Sequence, residues 1–368
     1  MDFPTSISKI EARISAINPV KYASTRNFKN GAVTKLSPYI SRGVISTFDV
    51  FKQVKTLNLK WFEVERLVQE LAWREFFQNV WTHKNEKIFS DVKNPQINAE
   101  NSGMPSAVFN ANTGIDVLDD AAKELYNSGY IHNHSRMYLA SVCCNIGHYY
   151  WSEPAKWLYY NLLDGDLASN HLSWQWIAAT FSGKKYFANQ DNLNKYFKSN
   201  QKDTFLDIDY SEFETLKVPE VLKESQQLTL KTKLPELPKP EFKNTKTLIF
   251  NYYNLDYKWH ENEDYQKIFL IEPSQFEKFP VSEKCLNFAL KLSENIPNIK
   301  LFVGEFSELI SEISVENITF KEHPLNLYYE GTSEKTSNLF KIELECSSFF
   351  SYWKKVKKGL QKDFETID

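Results

Sequence analysis

The periodicity of the apolar residues changes about two-thirds of the way along the chain, and this change constrains the fold more than any other feature. Over residues 40–200 apolar side chains recur at helical spacing, for example over 64–81 and 119–150. Beyond residue 244 short β-branched and aromatic runs alternate with helical segments, a pattern typical of a parallel α/β sheet. The runs predicted as strands cover 247–252, 267–271, 300–303 and 317–320, and the segments predicted as helices cover 282–295 and 305–313.

A polar stretch over residues 207–244 separates the two patterns and holds four of the 14 prolines of the chain. Proline fixes a backbone dihedral and has no amide hydrogen, so this composition favours an extended linker. We therefore expect a multidomain protein that combines α and α/β classes. The predicted parts are an all-helical domain over 1–205, a linker over 206–244 and a smaller Rossmann-like parallel α/β domain over 245–368.

Composition argues against several classes of protein. Of the four cysteines only Cys143 and Cys144 are close in sequence, which provides neither a CxxC pair nor a disulfide framework and argues against a metal or iron–sulfur centre. Nothing in the sequence resembles a signal peptide or a membrane span, so a cytoplasmic protein without membrane contact is expected. The second part has no GxGxxG or GxxxxGK[ST] loop, so nucleotide binding by a glycine-rich turn is not supported.

Residues 164–176 concentrate two carboxylates, an amide and two indoles within thirteen positions. Asp and Asn are poor helix formers and cost free energy when they are buried without partners, so a segment needed only for folding would rarely combine them. If Asp166 caps a helix, Asn170 and Trp174 follow at i+4 and i+8 on the same face. This combination indicates a planar, redox-active ligand.

Residues 31–43 place the Thr34 and Ser37 hydroxyls and the Lys35 ammonium just before a predicted helix. A helix N-terminus preceded by hydroxyls and a cation suits a pyrophosphate, although an ordinary helix cap explains the same residues. The first sixty residues carry ten basic and three acidic side chains. That bias suits contact with phosphate, and it equally suits a solvated helical face.

Two other helical segments present chemically active faces. Glu70, Trp73 and Arg74 fall at i, i+3 and i+4, so one face shows a carboxylate, an indole and a guanidinium. A core tryptophan beside a surface ion pair is the alternative. In residues 130–137 a buried Arg136 would need an anion, and Asp164 or Asp166 could supply it.

Together with Tyr22 and Arg26, these segments resemble the FAD-binding domain of the DNA photolyase and cryptochrome family over about residues 20–200, in the same order and with similar spacing. The resemblance implies an FAD cofactor, with an ion pair between Arg136 and Asp164 beside the isoalloxazine, Asp166 at the flavin edge and Asn170 next to N5. The residues that it implies as FAD contacts are Tyr22, Thr34, Lys35, Leu36, Ser37, Arg74, Arg136, Asp164, Asp166 and Asn170.

The resemblance also implies an activity, the blue-light-driven repair of cyclobutane pyrimidine dimers (CPDs) in DNA by electron transfer from reduced FAD to a flipped-out lesion. Such an enzyme is a deoxyribodipyrimidine photolyase, a carbon–carbon lyase. The implied lesion contacts are Arg26, Glu70, Trp73, Asn133, His134, Met137 and Trp176, and the implied catalytic residues are Glu70, Asn133, Met137 and Asn170.

Single positions bear on the subfamily. The 6-4 photolyases carry His where this chain has Asn133 and Met137, and plant cryptochromes carry Asp where it has Asn170, so CPD repair is favoured. A cryptochrome-like flavin photoreceptor without repair activity is the alternative. A helical scaffold that has lost its flavin is another, because Val33 and Leu67 depart from the family pattern.

Trp174 and Trp151 match the first two members of the electron-transfer chain of the family, but no third tryptophan lies in residues 94–105. Either photoreduction of the flavin is slow, or the chain ends instead at another aromatic residue of the helical part. The candidates are Trp81, Trp157, Tyr149 and Tyr150.

Residues 245–368 resemble the α/β antenna domain that family members carry before the FAD-binding domain, whereas here it follows. A generic α/β module is the alternative. The resemblance implies a possible second, antenna chromophore of unknown identity, and UV-damaged DNA as the partner of a monomer. Residues 201–368 hold 22 basic and 29 acidic side chains, so we expect this part not to lie against DNA.

Overall fold

The computed structural model describes residues 3–340 and 345–366. Its first part is helical, as predicted. Its helices are α1 Ile7–Ser15, α2 Pro19–Thr25, α3 Ser37–Ser41, α4 Thr47–Lys55, α5 Trp61–Lys84, α6 Ser106–Phe109, α7 Asp116–Ser128, α8 Asn133–Ser141, α9 Ser152–Asn161, α10 Leu167–Ile177 and α11 Gln190–Phe197, with a π-helical turn at Val142–Ile146 and 3₁₀ turns at Asn85–Phe89 and Glu220–Leu222. A two-residue strand, β1 (Met104–Pro105), pairs antiparallel with β2 (Ser225–Gln226).

The second part contains a five-stranded parallel sheet, which confirms the predicted α/β class. Its strands are β3 Thr247–Phe250, β4 Gln266–Ile271, β5 Ile299–Val303, β6 Ile318–Lys321 and β7 Thr332–Glu334, and its helices are α12 Pro273–Lys278, α13 Glu283–Ser293 and α14 Phe306–Ile310, with a 3₁₀ turn at Val315–Asn317. The strand order is β5-β4-β3-β6-β7. The direction of winding therefore reverses between β3 and β6, as in Rossmann-like sheets.

Capping residues in the sequence explain where helices α4 and α10 begin. Ser46 and Asp49 form a reciprocal capping box at the start of α4. The Asp166 carboxylate accepts the Ser169 amide at 2.8 Å and caps α10, as predicted. The long helix α5 buries Val64, Leu67, Val68 and Leu71 on one side, which fixes the direction of its opposite, polar face.

One hydrophobic core joins the two parts of the chain. It combines residues of α4 and α5 with Leu248 and Phe250 of β3, Leu286 of α13 and Tyr352 of the last helix, α15 (Phe349–Glu365). Because apolar surface from both parts is removed from water in a single cluster, burial stabilises their mutual arrangement as well as each part. A second core lies within the helical part, and a third covers the other face of the sheet.

The segment predicted to be a linker lies largely against the helical part. Leu206, Phe213 and Leu222 are buried in the second core, and β2 pairs with β1. The prolines beyond residue 234 coincide with backbone that carries no helix or strand before β3. The packed portion of this segment is therefore part of the helical fold rather than a free spacer.

The last helix returns to the helical part. α15 packs along α5, and Phe364 contacts the Trp61 ring with centroids 5.7 Å apart. Among residues 3–340 and 345–366 no helix has the length and apolar character needed to cross a membrane.

Candidate functional site

Asp166 is the centre of a buried polar cluster at the start of α10. Its carboxylate is 2% exposed and accepts hydrogen bonds from Gln78 at 2.7 Å and Arg74 at 3.3 Å, in addition to the Ser169 amide. Burial opposes ionisation, but the Arg74 guanidinium and the Ser169 amide outweigh it, so the pKa of Asp166 lies below its usual value. This carboxylate is therefore ionised at neutral pH and fixed in position.

Arg136 and Asp164 form the predicted ion pair. The Arg136 Nη2 group donates to both carboxylate oxygens of Asp164, at 3.0 and 2.9 Å, and its Nε donates to the Ile131 carbonyl at 3.1 Å. Ser37 also donates to Asp164, at 2.7 Å. Asp164 is 7% exposed, and a buried carboxylate that accepts three such hydrogen bonds from two side chains is held rigidly. Sequence reasoning left two anions open for Arg136, and the structure selects Asp164.

The predicted phosphate-binding segment approaches the same place. Lys35 has a positive φ of 54°, Leu36 is buried, and the Thr34 hydroxyl accepts the Leu36 amide at 3.4 Å. The helix that follows is only five residues long. Because the Ser37 hydroxyl donates to Asp164, this segment is joined directly to the ion pair.

The polar face of α5 lies opposite. Glu70 contacts Arg26 at 3.4 Å, and its side chain is 34% exposed. Burial raises the pKa of Glu70 even though Arg26 and Arg66 act in the opposite direction. Burial also raises the pKa of Tyr22, and the nearby Glu70 charge adds to that effect. Arg26, Glu70 and Tyr22 therefore lie close together, and their contacts with FAD and a lesion stay predictions.

Trp73 shows a departure from the expected open aromatic wall. The Phe349 ring of α15 stacks on it with centroids 3.6 Å apart and planes inclined by 10°. Phe77 and Phe76 contact the indole at 5.4 and 5.9 Å. One face of Trp73 is therefore already covered, and its contact with a lesion stays a prediction. By contrast, Trp176 is 38% exposed.

The side chains of α8 divide into two groups. Asn133 and Met137 lie one turn apart, with the Asn133 amide 3.9 Å from the Met137 sulfur. His132 contacts the Arg26 carbonyl through Nε2 at 2.9 Å. Burial, together with His132 and Arg26, lowers the pKa of His134 to about 4. At neutral pH His134 is therefore uncharged, and its contact with a lesion stays a prediction.

Asn170 and the predicted electron-transfer residues lie deeper. The Asn170 amide donates to the Ala155 carbonyl at 2.8 Å, which orients the side chain between α9 and α10. Trp174 is 2% exposed, and Trp151 is fully buried at the start of α9. The Trp151 Nε1 donates to Asp91 at 2.7 Å.

Sequence reasoning missed several residues of the site. Gln78 lies one helical turn beyond Arg74 on the polar face of α5, so helical spacing alone could have identified it. Three others, Arg42, Tyr253 and His323, lie at the junction of the two parts. Arg42 is completely buried, lies 3.7 Å above the Tyr252 ring and donates to the Gly165 carbonyl. Tyr253 contacts it as well, at 4.9 Å.

The residues after β3 and β6 reach this junction. The Tyr253 hydroxyl lies 2.5 Å from the Tyr159 hydroxyl, and the His323 ring stacks on Tyr253 at 4.5 Å. Burial lowers the pKa of His323 to about 4, although the Asp166 carboxylate acts in the opposite direction. No local sequence signal predicts these contacts, because they join segments that lie far apart in the chain.

The chemistry of this donor set fits FAD. Arg74 and Arg136 keep 23% and 22% of their side chains exposed although each is paired with a buried carboxylate, so both retain donors for a ligand. The Thr34 hydroxyl and the Lys35 ammonium supply further groups suited to a diphosphate. The fixed carboxylates and the Asn170 amide supply the polar contacts that an isoalloxazine ring requires.

Comparison with known proteins agrees with this fit. Residues 67–232 match the family model described as the FAD binding domain of DNA photolyase. A deoxyribodipyrimidine photo-lyase from Streptomyces griseus is 29% identical over 158 residues, which are 40% of this chain and 32% of the relative. Another from Agrobacterium fabrum is 29% identical over 165 residues, which are 43% of this chain and 34% of the relative. The chain thus spans about one third of the length of these relatives.

A crystal structure of a cryptochrome from Synechocystis aligns with a TM-score of 0.47 and 23% identity, covering 53% of this chain and 44% of that one. FAD is the cofactor named in the description of the matching family, and the donor set above accommodates it. Residues 67–232 of the helical part are therefore similar to the FAD-binding domain of the DNA photolyase family.

Proposed function

We propose that the protein repairs cyclobutane pyrimidine dimers in UV-damaged DNA under blue light. The observation that supports this proposal is that Arg26 links Glu70 to the start of α8: its guanidinium contacts Glu70 at 3.4 Å, and its carbonyl contacts His132, the residue before Asn133, at 2.9 Å. When bound and reduced, FAD supplies an electron to the dimer after excitation and recovers it after the ring bonds open. The protein then has to orient the flavin and the lesion, exclude water and stabilise charge, and it does not have to provide a nucleophile.

Glu70 stabilises the charge that develops on the lesion. Burial raises the pKa of Glu70, and the protonated form of this carboxyl donates a hydrogen bond to an oxygen of the dimer as negative charge accumulates there. Arg26 holds the side chain at 3.4 Å. Asn133 and Met137 contact the extruded bases, and damaged bases are weakly stacked, so their extrusion from the duplex costs little free energy.

The flavin-side residues act by fixed electrostatics. Arg136 and Asp164 present a rigid dipole, and Asp166 with Arg74 presents a second. The bond from Asn170 to the Ala155 carbonyl fixes the direction of its amide. Groups that are already oriented need no rearrangement when charge moves, which is the main source of electrostatic catalysis. Trp174 and Trp151 return electrons from the surface to the flavin.

Repair of a dimer-containing oligonucleotide by the FAD-loaded protein tests the proposal. Repair is expected only under blue light. Glu70→Gln keeps the hydrogen-bonding shape and should repair more slowly, and Glu70→Ala should repair least. Gln69→Ala is the matched control, because the Gln69 side chain lies next to Glu70 in sequence and accepts a hydrogen bond from the exposed Arg66 at 2.6 Å. A reduced, flavin-loaded protein that binds no lesion and leaves dimers intact refutes the proposal.

A second candidate function is a flavin photoreceptor without repair activity, and one contact favours it. Phe349 covers one face of Trp73, where the resemblance places a wall of the lesion site. If the protein is a photoreceptor, its flavin should be photoreduced reversibly, and Glu70→Ala should leave this photoreduction unchanged. The protein should then have no affinity for dimer-containing DNA. Lesion binding measured in the dark separates the two functions.

We propose that the second part of the chain serves as an antenna domain over residues 245–368. A cavity of about 240 Å³ lies between the two parts, with aromatic walls and two lysines. Phe89 and Phe279 face each other at 4.9 Å, and Lys156 and Lys278 lie at the rim. The aromatic walls suit a planar chromophore, and the two lysines are paired with Glu153 and Glu86. An absorption band additional to that of FAD in the purified protein, lost in Phe279→Ala, is the expected result.

A further inference from the structure

The sequence left the outer end of the electron-transfer chain open among four aromatic residues, and the structure places one of them against Trp151. The Tyr150 ring lies 5.8 Å from the Trp151 ring, inclined by 45°. Trp151 is fully buried, whereas Tyr150 is partly exposed. Tyr150 therefore connects a buried indole to solvent.

The other three candidates are enclosed. Tyr149 is 0% exposed and donates to the Leu222 carbonyl at 3.0 Å. Trp157 is also 0% exposed and donates to the Tyr126 hydroxyl at 2.9 Å, and Trp81 is 2% exposed. A side chain without accessible surface makes no contact with a soluble reductant, so none of these three suits the outer end of the chain.

A single carboxylate oxygen serves both partners of the tyrosine–tryptophan pair. Oδ1 of Asp91 accepts the Trp151 Nε1 at 2.7 Å and the Tyr150 hydroxyl at 3.0 Å. The second oxygen of Asp91 accepts a hydrogen bond from the backbone amide of Gln96 at 2.9 Å. Gln96 in turn accepts the Trp151 amide at 3.0 Å through its side-chain oxygen. The loop that carries Asp91 is thus tied to the backbone beside both aromatic rings.

We propose that Tyr150 is the terminal electron donor of this chain and that Asp91 accepts its proton. The inference rests on the proposed light-driven function. Trp174 gives an electron to the flavin, and Trp151 then reduces Trp174. In the last step Tyr150 passes one electron to the Trp151 radical cation and one proton to the Asp91 carboxylate. The products are a neutral tyrosyl radical, neutral Trp151 and a protonated Asp91, so charge and atoms balance.

A small thiolate completes the cycle from solvent. It gives one electron to the tyrosyl radical while Asp91 returns the proton, which regenerates the phenol and leaves a thiyl radical in solution. The adjacent carboxylate also stabilises positive charge on Trp151 while that charge exists, because the two groups are in hydrogen-bond contact.

The state of the phenol supports the need for a proton acceptor. Burial and the hydrogen bond to Asp91 raise the pKa of Tyr150 to about 12. The phenol is therefore protonated at neutral pH, and its oxidation has to release a proton. A carboxylate at 3.0 Å is placed to take it.

Flash photolysis of the FAD-loaded protein with detection of radicals by electron paramagnetic resonance tests the inference. A tyrosyl radical is expected in the wild-type protein, and deuterated tyrosine should narrow its signal. Tyr150→Phe should abolish it and shorten the lifetime of the charge-separated state, whereas Tyr149→Phe should leave both unchanged. Tyr150→Trp restores an oxidisable ring and should recover the long lifetime. A tyrosyl signal that persists in Tyr150→Phe overturns the inference.

Asp91→Asn tests the proton acceptor separately. Asparagine retains a hydrogen-bonding oxygen but is a far weaker base, so the tyrosyl radical should be lost while Trp151 oxidation persists. A readout independent of light is the pKa of Tyr150 in protein labelled with [¹³Cζ]tyrosine, followed by NMR. Asp91→Asn should lower that pKa towards the ordinary value of about 10. An unchanged radical yield in Asp91→Asn overturns the role of Asp91.

The failure of this inference is distinguishable from failure of the proposed function. If the wild-type protein photoreduces its flavin and repairs dimers while Tyr150→Phe matches it, only the assignment of Tyr150 is wrong. If Tyr150 forms a radical but dimers stay intact, the electron chain is correct and the repair function is wrong.

Discussion

Replacing Asp166 with asparagine removes one charge from the buried start of α10 and preserves the shape of the side chain. Asparagine caps helices as well as aspartate does, so the bond from the Ser169 amide survives. The charge-assisted contact with Arg74 at 3.3 Å is lost, and the bond from Gln78 at 2.7 Å is weakened. The substitution therefore isolates the effect of charge from the effect of helix capping.

The expected cost in the free energy of unfolding is about 2 kcal/mol. A hydrogen bond to a charged group contributes roughly 1.5–3 kcal/mol, and the lower end applies because Arg74 is 23% exposed and regains water. Asp166→Ala also removes the cap, which adds roughly 1 kcal/mol. Asp120→Asn is the control, because Asp120 is 62% exposed and contacts Lys29 at 3.8 Å. An exposed pair of that kind contributes about 0–1 kcal/mol.

The pH dependence has a definite sign. The pKa of Asp166 is lower in the folded protein than in the unfolded chain, so its contribution to stability is fully present above the unfolded pKa of about 3.9. That contribution is lost as pH falls through the lower, folded-state pKa. The difference between wild type and Asp166→Asn should therefore be constant between about pH 7 and pH 5 and should narrow below about pH 4.

Urea unfolding followed by tryptophan fluorescence and circular dichroism measures these differences, because the free energy of unfolding falls linearly with denaturant. Equal unfolding midpoints for Asp166→Asn and Asp120→Asn would refute the conclusion that the buried charge stabilises the fold. A difference that grows on acidification would refute the direction of the pKa shift.

Three further substitutions test the packing around the site. Asp164→Asn leaves Arg136 without its carboxylate, and we expect unfolding by urea to show a loss of about 3 kcal/mol; a loss no larger than that of Asp120→Asn contradicts the geometry of the pair. Phe349→Ala removes a buried ring from Trp73 and should lower the free energy of unfolding by about 3 kcal/mol. Acrylamide should then quench tryptophan fluorescence more strongly, and unchanged quenching counts against the stacked arrangement. Gly43→Ala places a methyl group 2.4 Å from the Tyr253 carbonyl oxygen at a φ of +66°, so proteolysis should reveal a loosened junction between the two parts, whereas wild-type resistance to protease indicates that the backbone adapts.

The elements most accessible to sequence reasoning were those with a strong local signal. The apolar spacing over residues 64–81 predicted a helix, and α5 extends over Trp61–Lys84. Asp166 was predicted as a helix cap from residue type and spacing, and it caps α10. A carboxylate partner for Arg136 followed from a general rule, since a buried guanidinium needs an anion, and the rule left Asp164 and Asp166 open. Each of these predictions depends on chemistry within a few residues or on a requirement that only few partners satisfy.

Other features had no comparable signal. The Phe349 stack on Trp73 joins residues that are far apart in the chain, and so does the stack of His323 on Tyr253 beside Arg42. The burial of Leu206 and Phe213 in the helical core was also unexpected, because a polar segment with prolines resembles a spacer by composition. The composition of a segment indicates its average environment and does not specify which of its side chains become buried against a neighbouring surface.

By itself, the sequence determined the order of a helical part and an α/β part, the cap of α10 and the types of side chain available to a flavin. Local backbone preferences and the periodicity of apolar residues carry that information. Only the tertiary structure decided that Asp164 rather than Asp166 pairs with Arg136, that His134 is neutral, and that Tyr150 and Trp151 share Asp91. These outcomes depend on distance and burial between segments remote in the chain, because pairing and pKa are set by whatever surrounds a group in space.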